Sequence, residues 1–223
     1  MKPFEIYLEE GVHDPGIFKV VFTAGGPGSG KSFIAGRAGL GKFSAFGLKT
    51  VNSDNIFEKL LKDAKMEPVP KQIFSPKGQE IRGHAKELTQ KRQKGWLAGR
   101  LGLVVDGTGK DYVKIKKMSD SLRNLGYTSY MLFVNTSLDV AQQRNMMRAR
   151  KLDPNEVEEM WKAVQQNMGK FQQYFGRQNF VLVDNNSPSQ DVLAELYVQV
   201  EKLIKEPITH RAALAWMKDQ LPS

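Results

Sequence analysis

No cysteine occurs among the 223 residues. That excludes disulfide cross-links, thiolate metal sites and a cysteine nucleophile; it fits a reducing compartment, so a cytoplasmic location is expected. Histidine is nearly as scarce: His13, His84 and His210 stand alone without metal-ligand spacing and are expected at the surface or in packing. Long apolar runs are missing as well. The uninterrupted ones last a few residues, far short of the roughly 20 needed to cross a bilayer, so no membrane partner is expected. The stretch 1–10 contains no apolar h-region, and no signal peptide is expected. Acidic residues are in deficit: 24 Asp and Glu face 33 Lys and Arg, for a net charge of +9. That excess points to an anionic partner, and a nucleotide, a nucleic acid or a phosphorylated sugar would each satisfy it. The basic residues are denser over 86–100 and 110–117 but otherwise spread as solvated helix faces are, so charge does not choose among the three.

What is present is an alternation of short apolar runs with amphipathic stretches. Residues 18–24, 48–52, 101–106, 129–134 and 180–183 read as strands. Between and after them, 55–64, 78–99, 112–125, 138–150, 155–175 and 190–205 carry helical patterns. Strands separated by helices predict an α/β fold with a parallel sheet covered on both faces by right-handed crossovers. The segment 65–77, with Pro68, Pro70 and Pro76, is expected to be an extended insertion over the substrate side. Ala212, Ala213, Ala215, Trp216 and Met217 predict a C-terminal helix at about 208–219 that packs on the core. Trp96 and Trp161 are likewise expected in packing. The length suits a single domain over 1–223.

Gly25, Gly26, Pro27, Gly28, Ser29, Gly30, Lys31 and Ser32 spell G-x-x-x-x-G-K-S directly after the first apolar run. A strand, a glycine turn and a helix opening near Lys31 and running through 33–38 form a cradle for a nucleotide's phosphates. The glycines let successive N–H groups face one anion, and the helix N-terminus adds unpaired N–H groups and the positive end of its dipole. Lys31 is then placed for the β- and γ-phosphates of ATP, and the Ser32 hydroxyl for Mg2+. The competing reading is an ordinary glycine turn with a surface lysine.

Ligands of such sheets sit beyond the carboxyl ends of the strands. Asp54, in Asn52-Ser53-Asp54-Asn55, closes the second strand and opens a helix. Its carboxylate can cap that helix, or serve as a general base that takes a proton from an acceptor hydroxyl; the two roles are compatible. Asp106 ends the third strand and is placed for the magnesium shell, while the Gly107-Thr108-Gly109 turn brings the Thr108 hydroxyl toward substrate. Asp106 to Gly109 also matches the D-x-x-G of switch GTPases, but no N-K-x-D follows. Thr136-Ser137-Leu138-Asp139 is a capping-box-like start for the next helix, on which Arg144 and Arg148 share a face, with Arg150 just beyond. Lys151-Leu152-Asp153-Pro154 breaks that helix. Arginines on a helix–break–helix hairpin are what a phosphoryl-transfer lid requires, here about 144–165; pairing with Glu156, Glu158 and Glu159 is the alternative.

Taken in order, G-G-P-G-S-G-K-S, N-S-D-N, D-G-T-G and R-N-M-M-R-A-R resemble the zeta-toxin and polynucleotide-kinase group of P-loop kinases over about 18–184. The resemblance implies a P-loop NTPase fold of nucleoside-kinase type: a three-layer sandwich with a five-stranded parallel sheet and a helical lid. It implies an ATP- and Mg2+-dependent phosphotransferase with an alcohol acceptor on a nucleotide sugar, nucleotide or polynucleotide. In that group the acid after the second strand is the base, which falls on Asp54. The acid-Gly-Thr turn that holds the sugar nucleotide of zeta toxins falls on Asp106, Gly107 and Thr108. Asp106 is shorter than the glutamate usual there, which weighs against UDP-N-acetylglucosamine, and N-S-D-N is at least as close to polynucleotide kinases. The lid arginines of the group bind the triphosphate, which falls on Arg144, Arg148 or Arg150. An antitoxin-like inhibitor is a further partner the group raises, one no motif of this chain spells out. Two other classes stay open: a nucleic-acid-binding ATPase without an acceptor, and a binding protein with a vestigial nucleotide site.

Overall fold

The computed structural model describes residues 12, 14–31, 47–148, 151–187 and 190–220. At its centre lies β1 (Lys19–Ala24), a strand with every residue buried. It is flanked by β2 (Lys49–Val51), β3 (Leu103–Asp106), β4 (Thr128–Asn135) and β5 (Phe180–Asp184) in the order β2-β3-β1-β4-β5. All four pairings are parallel. A parallel strand cannot follow its neighbour through a tight turn, so the crossovers from β2 to β3, β3 to β4 and β4 to β5 each carry helices, and both sheet faces are covered.

The faces follow the two-residue period of a strand. Phe18, Val20, Phe22 and Ala24 join Leu103, Met131 and Phe133 in one apolar cluster. It is closed by Leu122 of α4 (Tyr112–Asn124), Val164, Phe171 and Phe175 of α6 (Pro154–Phe175), and Ala213 of α8 (Arg211–Gln220). Val21, Val104, Tyr130, Leu132 and Val183 face the other way, against Leu196, Val200 and Leu203 of α7 (Gln190–Lys205). A third cluster stands beyond the β2 edge. There Phe57 and Leu61 of α1 (Ser53–Asp63), Ile73 of α2 (Pro70–Ile73) and Ala85 of α3 (Pro76–Ala98) pack together.

Three sequence expectations change. The second strand is shorter than 48–52. The segment 65–77 is not extended throughout: Pro70 and Pro76 each open a helix, because proline at the first helical position forfeits only an N–H that would be unpaired anyway. Ser75 caps α3 by accepting from Gly78 N at 3.1 Å. The helix expected over 138–150 stops as α5 (Leu138–Met146). Buried Asn145 ends it: its amide donates to Leu152 O at 2.8 Å and accepts from Leu152 N at 3.0 Å, closing the connection into α6. Ser137, rather than Thr136, caps α5, accepting from Val140 N at 3.3 Å.

Candidate active site

The P-loop emerges from β1 between β3 and β4, where those two neighbours supply its surroundings. Gly25 N donates to Thr108 O at 2.9 Å, tying the loop's start to the turn after β3. Gly28 and Gly30 have φ of 73° and 78°, where a side chain is strained. A Cβ would also collide with Ala141 O at Gly28 and with the Asn185 amide at Gly30. Glycine is therefore required twice at these positions, by backbone conformation and by close approach.

Two side chains from beyond β4 and β5 orient the loop's carbonyls. Asn185, buried just past β5, donates to Ser29 O at 2.6 Å. Arg144 donates to Gly28 O at 3.3 Å, to Asn185 O at 2.7 Å and to Asn186 O at 3.4 Å. In a trans peptide the N–H points opposite its carbonyl, so drawing Ser29 O outward turns Gly30 N–H into the loop. Ser29 N itself donates to Gly26 O at 3.1 Å. Arg144 thus clasps the loop from below, and because α5 stops at Met146, it does not share a helical face with Arg148.

Asp106, at the tip of β3, is the hub of the site. The register that sets Thr23 beside Asp106 brings the two into contact. Asp106 Oδ1 accepts from Lys31 Nζ at 2.5 Å and from Thr23 Oγ1 at 2.8 Å, and Oδ2 accepts from Asn52 Nδ2 at 2.9 Å. Lys31 and Asp106 are 15% and 20% exposed, so the lysine is held at the loop by a mostly desolvated pair. A carboxylate has about four lone-pair sites. Among the described residues three are taken, two on Oδ1 and one on Oδ2.

Asp54 is not the helix cap. Asn52 takes that role, its Oδ1 accepting from Asp54 N at 2.7 Å. The Asp54 carboxylate is exposed and makes no hydrogen bond or ion pair among the described residues. It lines a cavity of about 990 Å³ that also contains the P-loop from Gly25 to Ser29, Lys31, Asp106 and Thr108. Arg148 and Lys151 border it from the α5–α6 connection, Phe57 and Ile73 from the third cluster, and Arg82 from α3. Of the residues expected at the site, then, the fold brings together Gly25 to Ser29, Lys31, Asp54, Asp106, Thr108 and Arg148. Gly30, within the loop, lies against Asn185 on its outer side, and Arg144 holds the loop from that same side. Ser32, Arg150 and the helix over 33–38 lie outside the described residues.

Sequence reasoning missed Thr23, Asn185 and Arg82, and quoted Asn52 without a role. Asn185 and Asn186 were findable: they stand beyond the carboxyl end of a strand, the rule that singled out Asp106. Thr23 and Arg82 carry no local signal, since each is defined by what lies across the fold.

A parallel five-stranded sheet with a glycine loop at the tip of its central strand is a P-loop, kinase-like α/β fold. The chain belongs to the AAA domain family, whose model matches residues 20–171. Solved structures share the fold at low identity. One chain of the AvrRxo1-ORF1 and AvrRxo1-ORF2 complex with sulphate ions is 16% identical with a TM-score of 0.57, over 81% of this chain and 62% of that one. The protein described here thus spans less than two thirds of that relative. In the same complex with ATP, a chain is 15% identical with a TM-score of 0.56, over 93% of this chain and 72% of the other. A candidate kinase from Chloroflexus aurantiacus is 14% identical with a TM-score of 0.56, over 84% and 96%. No curated protein matches the sequence. Among the described residues no helix is long and apolar enough to cross a membrane.

Proposed function

We propose that the protein is an ATP- and Mg2+-dependent kinase that transfers the γ-phosphoryl group to a hydroxyl of a nucleotide sugar, nucleotide or polynucleotide. The observation that carries this reading is the Asp54 carboxylate, freed from capping by Asn52 and facing the same cavity as Lys31 and the P-loop. A switch or motor needs no free carboxylate on the acceptor side of its phosphate cradle. Phosphoryl transfer to an alcohol does.

In this reading the loop N–H groups and Lys31 hold the β- and γ-phosphates, with Arg144 and Asn185 keeping the loop in shape. Asp54 accepts the hydroxyl proton as the acceptor oxygen bonds to the γ-phosphorus; the bond from that phosphorus to the β,γ-bridging oxygen breaks, and ADP leaves. Arg148, exposed at the rim, offsets charge on the transferring group, and Arg150 is a second candidate for that role. Thr108 faces the acceptor. The carboxylate of Asp106 fits magnesium, a hard cation that keeps several waters and takes one or two carboxylates; Asp106 and the Ser32 hydroxyl would hold it. When bound, the ion neutralises charge between the β- and γ-phosphates.

The test is incubation with γ-labelled ATP and separate pools of nucleotide sugars, nucleosides and nucleotides, and single- and double-stranded nucleic acid. Label in one pool is the expected result. Nucleic-acid-stimulated phosphate release with every pool unlabelled would replace this reading by an ATPase. Asp54→Asn is expected to keep ATP affinity and to lower transfer by at least about a hundredfold. Lys31→Ala is expected to lose both tight nucleotide binding and transfer; a fully active variant removes the cradle assignment.

A further inference from the structure

Arg82 projects from α3 into the cavity, and nothing in the donor-side chemistry uses it. Its guanidinium lies over the ring of Phe57, 4.4 Å from the centroid. Phe57 is only 3% exposed, so the platform beneath the guanidinium is fixed by the core of the third cluster. Among the described residues Arg82 has no carboxylate partner, although Asp54 and Glu58 line the same cavity. A guanidinium over an aromatic face can still offer N–H groups to a ligand, and its planar fork matches the oxygens of phosphate or carboxylate.

Resting on the kinase reading above, we infer that Arg82 is the acceptor's anion site and sets the acceptor class: a hydroxyl compound that carries a phosphate or carboxylate near the reacting hydroxyl. The spacing follows from α1. Asp54 and Phe57 are three residues apart on one helix face, about 5–6 Å between Cβ atoms. A hydroxyl at Asp54 and an oxyanion on the Arg82 fork are therefore separated by roughly one helical turn, the reach of a phosphorylated or acidic sugar. The apolar residues Phe57, Ile73 and Val69 between and beside them would cover the acceptor's carbon frame. A neutral sugar or nucleoside would leave the guanidinium desolvated against Phe57 without an anion, which disfavours it.

The experiment reads binding rather than turnover, so it stands apart from the kinase assay. Inorganic phosphate, and acetate in a parallel arm, are titrated by calorimetry into the full chain saturated with a non-hydrolysable ATP analogue, and into the Lys31→Ala chain. One saturable anion site is expected in both, at least tenfold weaker in Arg82→Gln and intermediate in Arg82→Lys. Affinity for the ATP analogue in the Arg82 variants should stay within twofold of the parent, with unchanged thermal unfolding. The two arms tell phosphate from carboxylate. Absence of a saturable site, or a site indifferent to Arg82→Gln, overturns the inference. An Arg82-dependent site in a protein that labels no acceptor overturns the kinase reading and leaves the anion site standing.

Discussion

At the scale of single residues, the P-loop here is shaped from outside as much as by its own glycines. Asn185 and Arg144 draw Ser29 O and Gly28 O outward, and the amide of Asn185 occupies the space a side chain at position 30 would need. Two substitutions separate these contributions. Gly30→Ala must strain a backbone at φ 78° and displace Asn185; it is expected to reduce affinity for an ATP analogue by at least about a hundredfold while the chain still folds. Asn185→Ala leaves Ser29 O without its donor and should reduce that affinity about tenfold, the effect of one lost buried hydrogen bond. Both are measured by calorimetric titration of the analogue. Equal affinity in Asn185→Ala and the parent would show that Arg144 alone suffices. Asp54 shows how little a residue's position in sequence says about its role: two neighbours of the same helix start, Asn52 and Asp54, compete for the cap, and only the side-chain geometry shows that Asn52 took it.

At the scale of elements, the helix pair α4 and α6 carries a polar clasp on the rim of the apolar cluster. Asp120 of α4 accepts from Lys116 Nζ at 2.7 Å and from Tyr174 OH of α6 at 2.6 Å. The hydrogen bond from Lys116, and then that from Tyr174, hold its carboxyl below the usual aspartate value. A depressed carboxyl pKa means that the unfolded chain binds the proton first. Its contribution is then present in full above the ordinary value of about 4 and is lost as pH falls through the lowered one. Asp120→Asn is expected to lower the urea midpoint modestly at neutral pH, since both partners are partly exposed, and to converge with the parent at low pH, so that the acid limb is flatter. A parallel downward shift at all pH values would instead mean that the clasp acts by packing. The prolines belong to this scale too. Pro70, Pro76 and Pro154 all stand at helix starts, so what reads as punctuation in a single sequence opens helices, and Pro70 itself lines the cavity beside Asp54.

At the scale of the whole molecule, the C-terminal helix α8 is part of the core. The Trp216 ring meets Phe18 edge-on at 5.5 Å between centroids, and Ala213 is fully buried against Gly126. Phe18 in turn immediately precedes β1, the strand that delivers the P-loop. Trp216→Ala is expected to cost about 2 kcal/mol in denaturant unfolding, below the usual range for a fully buried tryptophan because the ring is partly exposed. Nucleotide affinity should be unchanged, since Phe18 and the loop sit at opposite ends of β1. A loss of affinity larger than the loss of stability would show that strain travels along the strand. At the same end of the sheet, buried Lys19 donates to Glu206 O at 2.7 Å and to Tyr130 OH at 3.3 Å. Burial lowers its pKa, against the opposing pull of Glu206.

The sequence alone determined the alternation of strands and helices, the phosphate cradle and the acids at the next two strand tips. Each of these is written in a short window, as a two- or 3.6-residue period, a glycine turn or a strand end followed by a carboxylate. The tertiary structure decided which strands became neighbours, and with that which side chains meet. Lys31 reaches Asp106 across 75 residues and Asn185 reaches Ser29 across 156, because β1 lies between β3 and β4 rather than beside β2. Local periodicity cannot encode such pairings. They follow from how right-handed crossovers stack parallel strands, and from the apolar clusters that hold Phe57 beneath Arg82.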